Sequence, residues 1–328
     1  MAYWFLGAGL ALLLFGSEAV VRGGVGLSRA LGLPPLVIGV LVIAAGTSAP
    51  ELAVSLQAAL DGSPDIALGN IVGSNIVNLL LILGLAALIR PMPSSPKVVL
   101  RDGGTLLIAS IALVLIARGG VVTRTDGLML LAGFAAYVVL TFFTDWRRPT
   151  EHSVPCARAL ARFGGEAPSA TAGMFILLFG LVGLALGAHF TVGGGLALAR
   201  EFHVSEALIG LTVMALGASL PELVVTVVAA ARGRTELAIG HLIGSSIFNI
   251  LAALGATAAI RPLTVAPALA AADIFVMLGA GALLLPLLAS GWRLSRPQGA
   301  MLLASYVGYV VFLAWRQGFV TPAMIGLS

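Results

Sequence analysis

The chain has 328 residues, 59% of them hydrophobic and only 10% charged, with a net charge of +4 and a mean hydropathy of +1.07. A soluble globule of this length needs far more polar surface, so the composition identifies a polytopic helical membrane protein. Its basic residues stand singly between apolar runs and do not cluster with aromatics, which argues against nucleic acid as a partner, and the lone Cys156 excludes an intramolecular disulfide.

Apolar stretches of about 20 residues, the length that crosses a bilayer, fall at 2–21, 34–60, 65–89, 98–117, 125–144, 171–190, 207–231, 236–260, 266–289 and 298–316. The first lacks a basic segment before its apolar core and reads as a retained helix, not a cleaved signal. Near its inner end Glu18 and Arg22 have the spacing of an i,i+4 ion pair. The second span meets Gly46-Thr47-Ser48-Ala49-Pro50-Glu51 halfway along and is expected to break there. Proline removes a donor and crowds the preceding turn, and a half-helix starting near Ser48 leaves N–H groups unpaired. In the third span Asn70, Ser74, Asn75 and Asn78 fall at roughly 0, 40, 140 and 80° around a regular helix and form a polar face. Gly69 and Gly73 are expected to let another helix approach that face closely. Asp102 opens the fourth span, where an acid suits the positive end of the helix dipole. The only extended polar stretch, 145–170, has the proline, glycine and charge content of a connector.

The second half repeats the first. Gly46 to Glu51 returns as Gly217-Ala218-Ser219-Leu220-Pro221-Glu222, and Gly69-Asn70-Ile71-Val72-Gly73-Ser74-Asn75-Ile76-Val77-Asn78 returns as Gly240-His241-Leu242-Ile243-Gly244-Ser245-Ser246-Ile247-Phe248-Asn249, both 171 residues on. Gly39 and Gly210, Arg90-Pro91 and Arg261-Pro262, and Asp102 and Asp273 keep the same offset. An odd number of spans per repeat means that the halves enter the membrane from opposite sides. The expected fold is therefore all-α: about ten transmembrane helices in two inverted five-helix repeats, 1–144 and 171–328, joined by the linker 145–170, with the second and seventh helices broken. With the N-terminus outside, the inner loops hold 13 basic residues and the outer segments 5, which puts the linker in the cytoplasm.

Two readings of the motif acids compete. Ser48 with Glu51 and Ser219 with Glu222 both fit a capping box with proline in the first turn. A carboxylate near the bilayer centre costs about 2.5–3.5 kcal/mol or more, whereas a cap returns only about 1 kcal/mol. Two such acids in register, each followed by an amide stripe, are better explained by a cation that both face. His241, which stands where the first repeat has Asn70, reads either as a hydrogen-bonded packing residue, the preferred reading, or as a proton-linked group. His152, His189 and His203 are isolated and lack metal-ligand spacing. An intramembrane hydrolase is disfavoured, because no His-Glu-x-x-His, Gly-x-Ser-x-Gly or facing Asp pair occurs. A channel would be told apart by its lack of obligatory exchange. No ATP-binding loop is present, so transport would run on an ion gradient.

The doubled pattern Gly-Thr-Ser-x-Pro-Glu followed by Gly-Asn-x-x-Gly-Ser-Asn-x-x-Asn closely resembles the alpha-repeats of the calcium/cation antiporter superfamily, and within it the bacterial sodium/calcium exchangers. The resemblance covers essentially the whole chain. It implies a Ca²⁺/Na⁺ antiporter, not an enzyme and with no cofactor, in a bacterial inner membrane, its ions held between helices 2, 3, 7 and 8. A proton- or other-cation-coupled antiporter is the close variant. Carried onto this chain, the resemblance implies that Glu51 and Glu222 bridge Ca²⁺ and that Asn75 completes the central layer. The Ala44 and Ala215 carbonyls, with the Thr47, Ser48, Ser74, Ser219 and Ser245 hydroxyls, would serve mostly Na⁺. The chain departs from the family pattern at Ser246, where an acid is common, and at Ala218, where threonine is common. Two carboxylates then balance one Ca²⁺ or two Na⁺.

Overall fold

The computed structural model describes residues 2–32, 42–146, 169–201, 217, 219–267 and 269–316. Pro34, Ala215, Ala218, Cys156, His152 and His203 lie outside them. In chain order the helices are α1 Ala2–Leu31, α2 Ala44–Thr47, α3 Ala49–Leu60, α4 Pro64–Ile89, α5 Val98–Ala117, α6 Arg124–Trp146, α7 Ala170–Glu201, α8 Leu220–Ala231, α9 Thr235–Ile260, α10 Leu269–Trp292 and α11 Arg296–Arg316. Eight of the described helices are long and apolar enough to cross a membrane, and α8 is a shorter apolar one. Helices dominate because lipid offers no partner for backbone N–H and C=O groups, which a helix pairs internally. Most spans match the sequence reading to within a few residues. The first and sixth run about ten residues further, to Leu31 and Glu201.

Burial ranks the helices. The most apolar stretch of α9 is 94% buried and that of α4 is 78% buried, against 22% for α6 and 11% for α11. The helices that carry the polar motifs therefore sit at the centre, and the fifth helix of each repeat lies outside. The apolar exterior, including Phe143, Phe175, Phe179 and Val307, is surface suited to lipid.

Two short ribbons fix the relation between the halves. Strand β1, Met92–Pro93, pairs antiparallel with β4, Arg293–Leu294, and β2, Val121–Val122, pairs antiparallel with β3, Leu263–Thr264. Helix α5 runs from the first ribbon to the second, whereas its counterpart α10 runs from the second back to the first. Equivalent helices thus point in opposite directions, as two inverted repeats require. Each ribbon joins one repeat to the other, and the helices follow suit: α11 packs on the last turns of α4, and α6 packs on those of α9.

Glycine sets the closest of these contacts. In α1, Gly9, Gly16 and Gly23 recur every seven residues, and a Cβ on any of them would clash with the backbone of α7 near Gly187, Gly180 and Gly173. The order reverses along the partner, so α1 and α7 are antiparallel with their backbones in contact. The Gly69 and Gly73 expectation is corrected. A Cβ at Gly69 would touch only the end of Leu269, and one at Gly73 would meet nothing within 4 Å.

Paired polar residues tie the scaffold together. Glu18 bonds Arg22 at 2.7 Å, as the spacing predicts, and also Arg232 at 3.3 Å beyond the end of α8. Arg261 donates to the Leu60 carbonyl at the end of α3, a favourable place for a cation. Asp102 and Asp273 do more than open a helix. Each accepts from a tyrosine of the fifth helix in its own repeat, Tyr137 at 3.0 Å and Tyr309 at 3.1 Å.

Candidate ion-binding site

The first motif break forms where the sequence places it and is one residue wide, and the second shows the same non-helical serine ahead of its proline. Ser48 (φ −86°, ψ 5°) separates α2 from α3, and Ser219 (φ −91°, ψ 11°) precedes α8. Proline in the first turn of the following helix has no N–H to give to the preceding one. The Ala44 carbonyl is not left free, since it accepts the Ser48 N–H at 2.9 Å. Its second lone pair still permits a ligand.

The capping reading of these serines does not hold. A full capping box opens α6, where the Thr123 N–H donates to Asp126 at 2.8 Å and the Asp126 N–H to Thr123 at 3.2 Å, and half of one opens α11, where the Ser295 N–H donates to Gln298 at 2.7 Å. Ser48 and Ser219 make no such side-chain cap bond. Instead the Ser48 hydroxyl crosses to the other repeat and donates to Glu222 Oε1 at 2.9 Å. A residue that satisfied its own helix would not be needed there.

Around this crossing the polar groups are buried and short of partners. Glu51 and Glu222 are fully buried, and each carboxyl is near enough to feel the other. Both Glu51 oxygens, Glu222 Oε2 and the hydroxyls of Ser219, Ser245 and Ser246 have no hydrogen-bond partner among the described residues. Neither acid forms an ion pair with a basic side chain there. A buried carboxylate without a cation is costly, and two together add mutual repulsion. Also among the described residues, no three His, Cys, Asp or Glu gather. The donor set is thus two carboxyls plus neutral oxygens, a chemistry that suits hard cations rather than zinc or copper.

The central helices carry the rest. Asn70 donates to the Glu51 carbonyl at 3.1 Å and to Ser55 at 3.0 Å, clasping α3 to α4. Ser74 is buried one turn further on. Asn75, expected at the centre, donates back to Ile71 of its own helix at 2.8 Å, and only its Oδ1 lacks a partner. Asn78 and Asn249 are the residues the sequence reading leaves out of the site. Both are fully buried, and all four of their amide atoms are without partners among the described residues. Each lies in a π-helical stretch, Val77–Ile82 and Phe248–Ala253. Such wide turns gather at functional sites. The available signal is their identical place, the last position of both repeated motifs. His241 is buried between Thr47, 2.8 Å away, and Thr226, 3.1 Å away, which bears out the hydrogen-bonded reading. Among the other histidines, His189 lies edge-on to Phe190, away from this cluster.

Inverted repeats that bury two facing acids amid neutral oxygens define a membrane transporter for small cations. The family described as sodium/calcium exchanger protein matches residues 1–143 and 172–315, and the chain belongs to it; it is a transporter, not an enzyme. The inner membrane protein YrbG of Escherichia coli is 34% identical, over 94% of this chain and 95% of that protein. The sodium/calcium exchanger MaX1 of Methanosarcina acetivorans is 30% identical, over 93% and 96%. The solved structure of the sodium-calcium exchanger NCX_Mj, soaked with Na⁺ and Ca²⁺, superimposes with a TM-score of 0.81 at 30% identity and covers 94% of this chain and 97% of that one.

Proposed function

We propose that this protein is a secondary antiporter that exchanges Ca²⁺ for Na⁺ by alternating access, with Glu51 and Glu222 sharing the Ca²⁺. The observation that carries the reading is the cross-repeat pairing of Ser48 with Glu222, beside a Glu51 carboxyl that has no protein partner of its own among the described residues. A divalent cation between the acids would offset both charges at once. Calcium takes 6–8 oxygens in irregular cages, and the carboxylates, the Asn75, Asn78 and Asn249 amides and the Ser246 hydroxyl are the candidates. Sodium would draw on the Ala44 and Ala215 carbonyls and the hydroxyls of Ser48, Ser74, Ser219 and Ser245, while the Thr47 hydroxyl is already engaged by His241. With two carboxylates, two Na⁺ replace one Ca²⁺ without a change of charge in the site.

The basic residues set the proposed orientation in a bacterial inner membrane: N-terminus outside and the linker 145–170 between the repeats 1–144 and 171–328 in the cytoplasm. The deciding experiment is uptake of radioactive Ca²⁺ into proteoliposomes loaded with Na⁺, with K⁺, or with K⁺ and a proton gradient. Uptake only from the Na⁺-loaded vesicles is expected. Equal uptake from all three at matched protein would remove the sodium reading, and uptake driven by protons alone would replace it.

A further inference from the structure

Of the motif positions at which the two repeats differ in chemistry, one sends a bond across the repeat boundary. In the first, Asn70 stays within its own repeat, bonded to the Glu51 carbonyl and to Ser55. Its counterpart His241 keeps the equivalent partner, Thr226, but sends its other nitrogen across the repeat boundary to the Thr47 hydroxyl. Thr47 belongs to the motif that supplies the proposed sodium ligands, whereas its counterpart in the second repeat is Ala218, with no hydroxyl.

Proton bookkeeping assigns the roles. A neutral imidazole has one donor and one acceptor, and a hydroxyl has one donor and two lone pairs. The Thr47 hydroxyl lies 3.1 Å from the Ile43 carbonyl and 3.3 Å from that of Ala44, with the Glu222 carboxyl as a further acceptor beside it, so its proton goes to an oxygen. It then accepts the N–H at Nε2, and Nδ1 accepts the Thr226 proton. A cation on the remaining Thr47 lone pair would face the positive end of that N–H dipole.

We propose that His241 is a specificity-determining residue that withdraws the Thr47 hydroxyl from sodium coordination, which leaves the Na⁺ side of the exchange short of both motif threonine hydroxyls. This rests on the Ca²⁺/Na⁺ reading above and goes beyond it by naming what weakens the sodium sites. Thr47 also stands beside the Glu222 carboxyl, so the bond chain meets the proposed Ca²⁺ site at that one residue.

The test is a double-mutant cycle on His241→Asn and Thr47→Val. Its readouts are half-saturating Na⁺ and half-saturating Ca²⁺ in proteoliposomes. His241→Asn restores the chemistry of the first repeat and should lower half-saturating Na⁺ about fivefold, the weight of one ordinary hydrogen bond, with a smaller shift in half-saturating Ca²⁺. Thr47→Val should be nearly silent in the wild-type background and should cancel the gain in the His241→Asn background. Thr226→Val, which frees the Nδ1 end of the imidazole, should shift Na⁺ dependence in the same direction as His241→Asn and provides a readout if that variant folds poorly. The proposal is overturned if Thr47→Val weakens Na⁺ equally in both backgrounds, or if His241→Asn and Thr226→Val leave Na⁺ dependence unchanged. A wild-type protein whose Ca²⁺ uptake ignores Na⁺ would overturn the parent reading together with this one. Na⁺-driven uptake that ignores these variants would overturn this one alone.

Discussion

Glutamine in place of Glu51 or Glu222 keeps the shape of the side chain and removes half the formal charge of the site. Because Ca²⁺ must trade its hydration shell for protein oxygens, either substitution should depress Ca²⁺ flux by more than about tenfold while membrane insertion survives. Equal damage is expected, since the two acids face each other across the repeats; near-normal flux in either variant at matched protein level would remove the shared site. The asparagines allow a finer comparison. Asn78 and Asn249 have amides with no protein partner among the described residues, whereas Asn75 is half committed to Ile71. Asn78→Ala and Asn249→Ala should therefore raise half-saturating Ca²⁺ more than Asn75→Ala does, and the reverse order would restore Asn75 to the centre. The acids are legible in the sequence because a carboxylate duplicated within apolar spans costs more than packing or capping returns. The asparagines are harder to rank, because the angles of a regular helix do not apply where the chain widens its turn at Val77 and Phe248.

Helix contacts explain which elements tolerate change. Gly16 faces the Gly180 carbonyl so closely that an added Cβ would lie 2.9 Å from it, and Gly84 stands in the same relation to Gly299. Gly16→Leu or Gly84→Leu should therefore cost about 1–3 kcal/mol or more through overpacking, read as a lower unfolding temperature in detergent. Gly279→Ala, where nothing lies within 4 Å of the new methyl, should leave that temperature unchanged. The seven-residue recurrence of Gly9, Gly16 and Gly23 is present in the sequence, yet Gly69 and Gly73 stand out there because they flank the polar motif. Spacing alone does not reveal which glycines meet a backbone. Nor does a capping pattern reveal whether a cap forms: the same motif closes at Thr123 and stays open at Ser48, where an acid of the other repeat takes the hydroxyl.

For the molecule as a whole, the duplication predicts ten spans and their inversion, and the two ribbons tie that inversion to geometry. Pro93 and Val121 are exposed, one in each ribbon, at opposite ends of α5. In a Cys156→Ser background, Pro93→Cys and Val121→Cys should react with an impermeant maleimide from opposite faces of the membrane, Pro93→Cys from the cytoplasm. Labelling of both from one face would break the proposed topology. Sequence could not reveal that each fifth helix packs mainly on the other repeat, because similar halves look the same whether each folds on itself or on its twin. That packing means that neither half has a complete surface of its own: α4 needs α11, and α9 needs α6. Separate polypeptides ending and starting within 147–168 should thus rebuild the transporter when made together, and each should be degraded when made alone. On that outcome the chain would be, in assembly terms, an obligate antiparallel dimer whose two subunits share one backbone, and the proposed linker would keep their ratio at one to one.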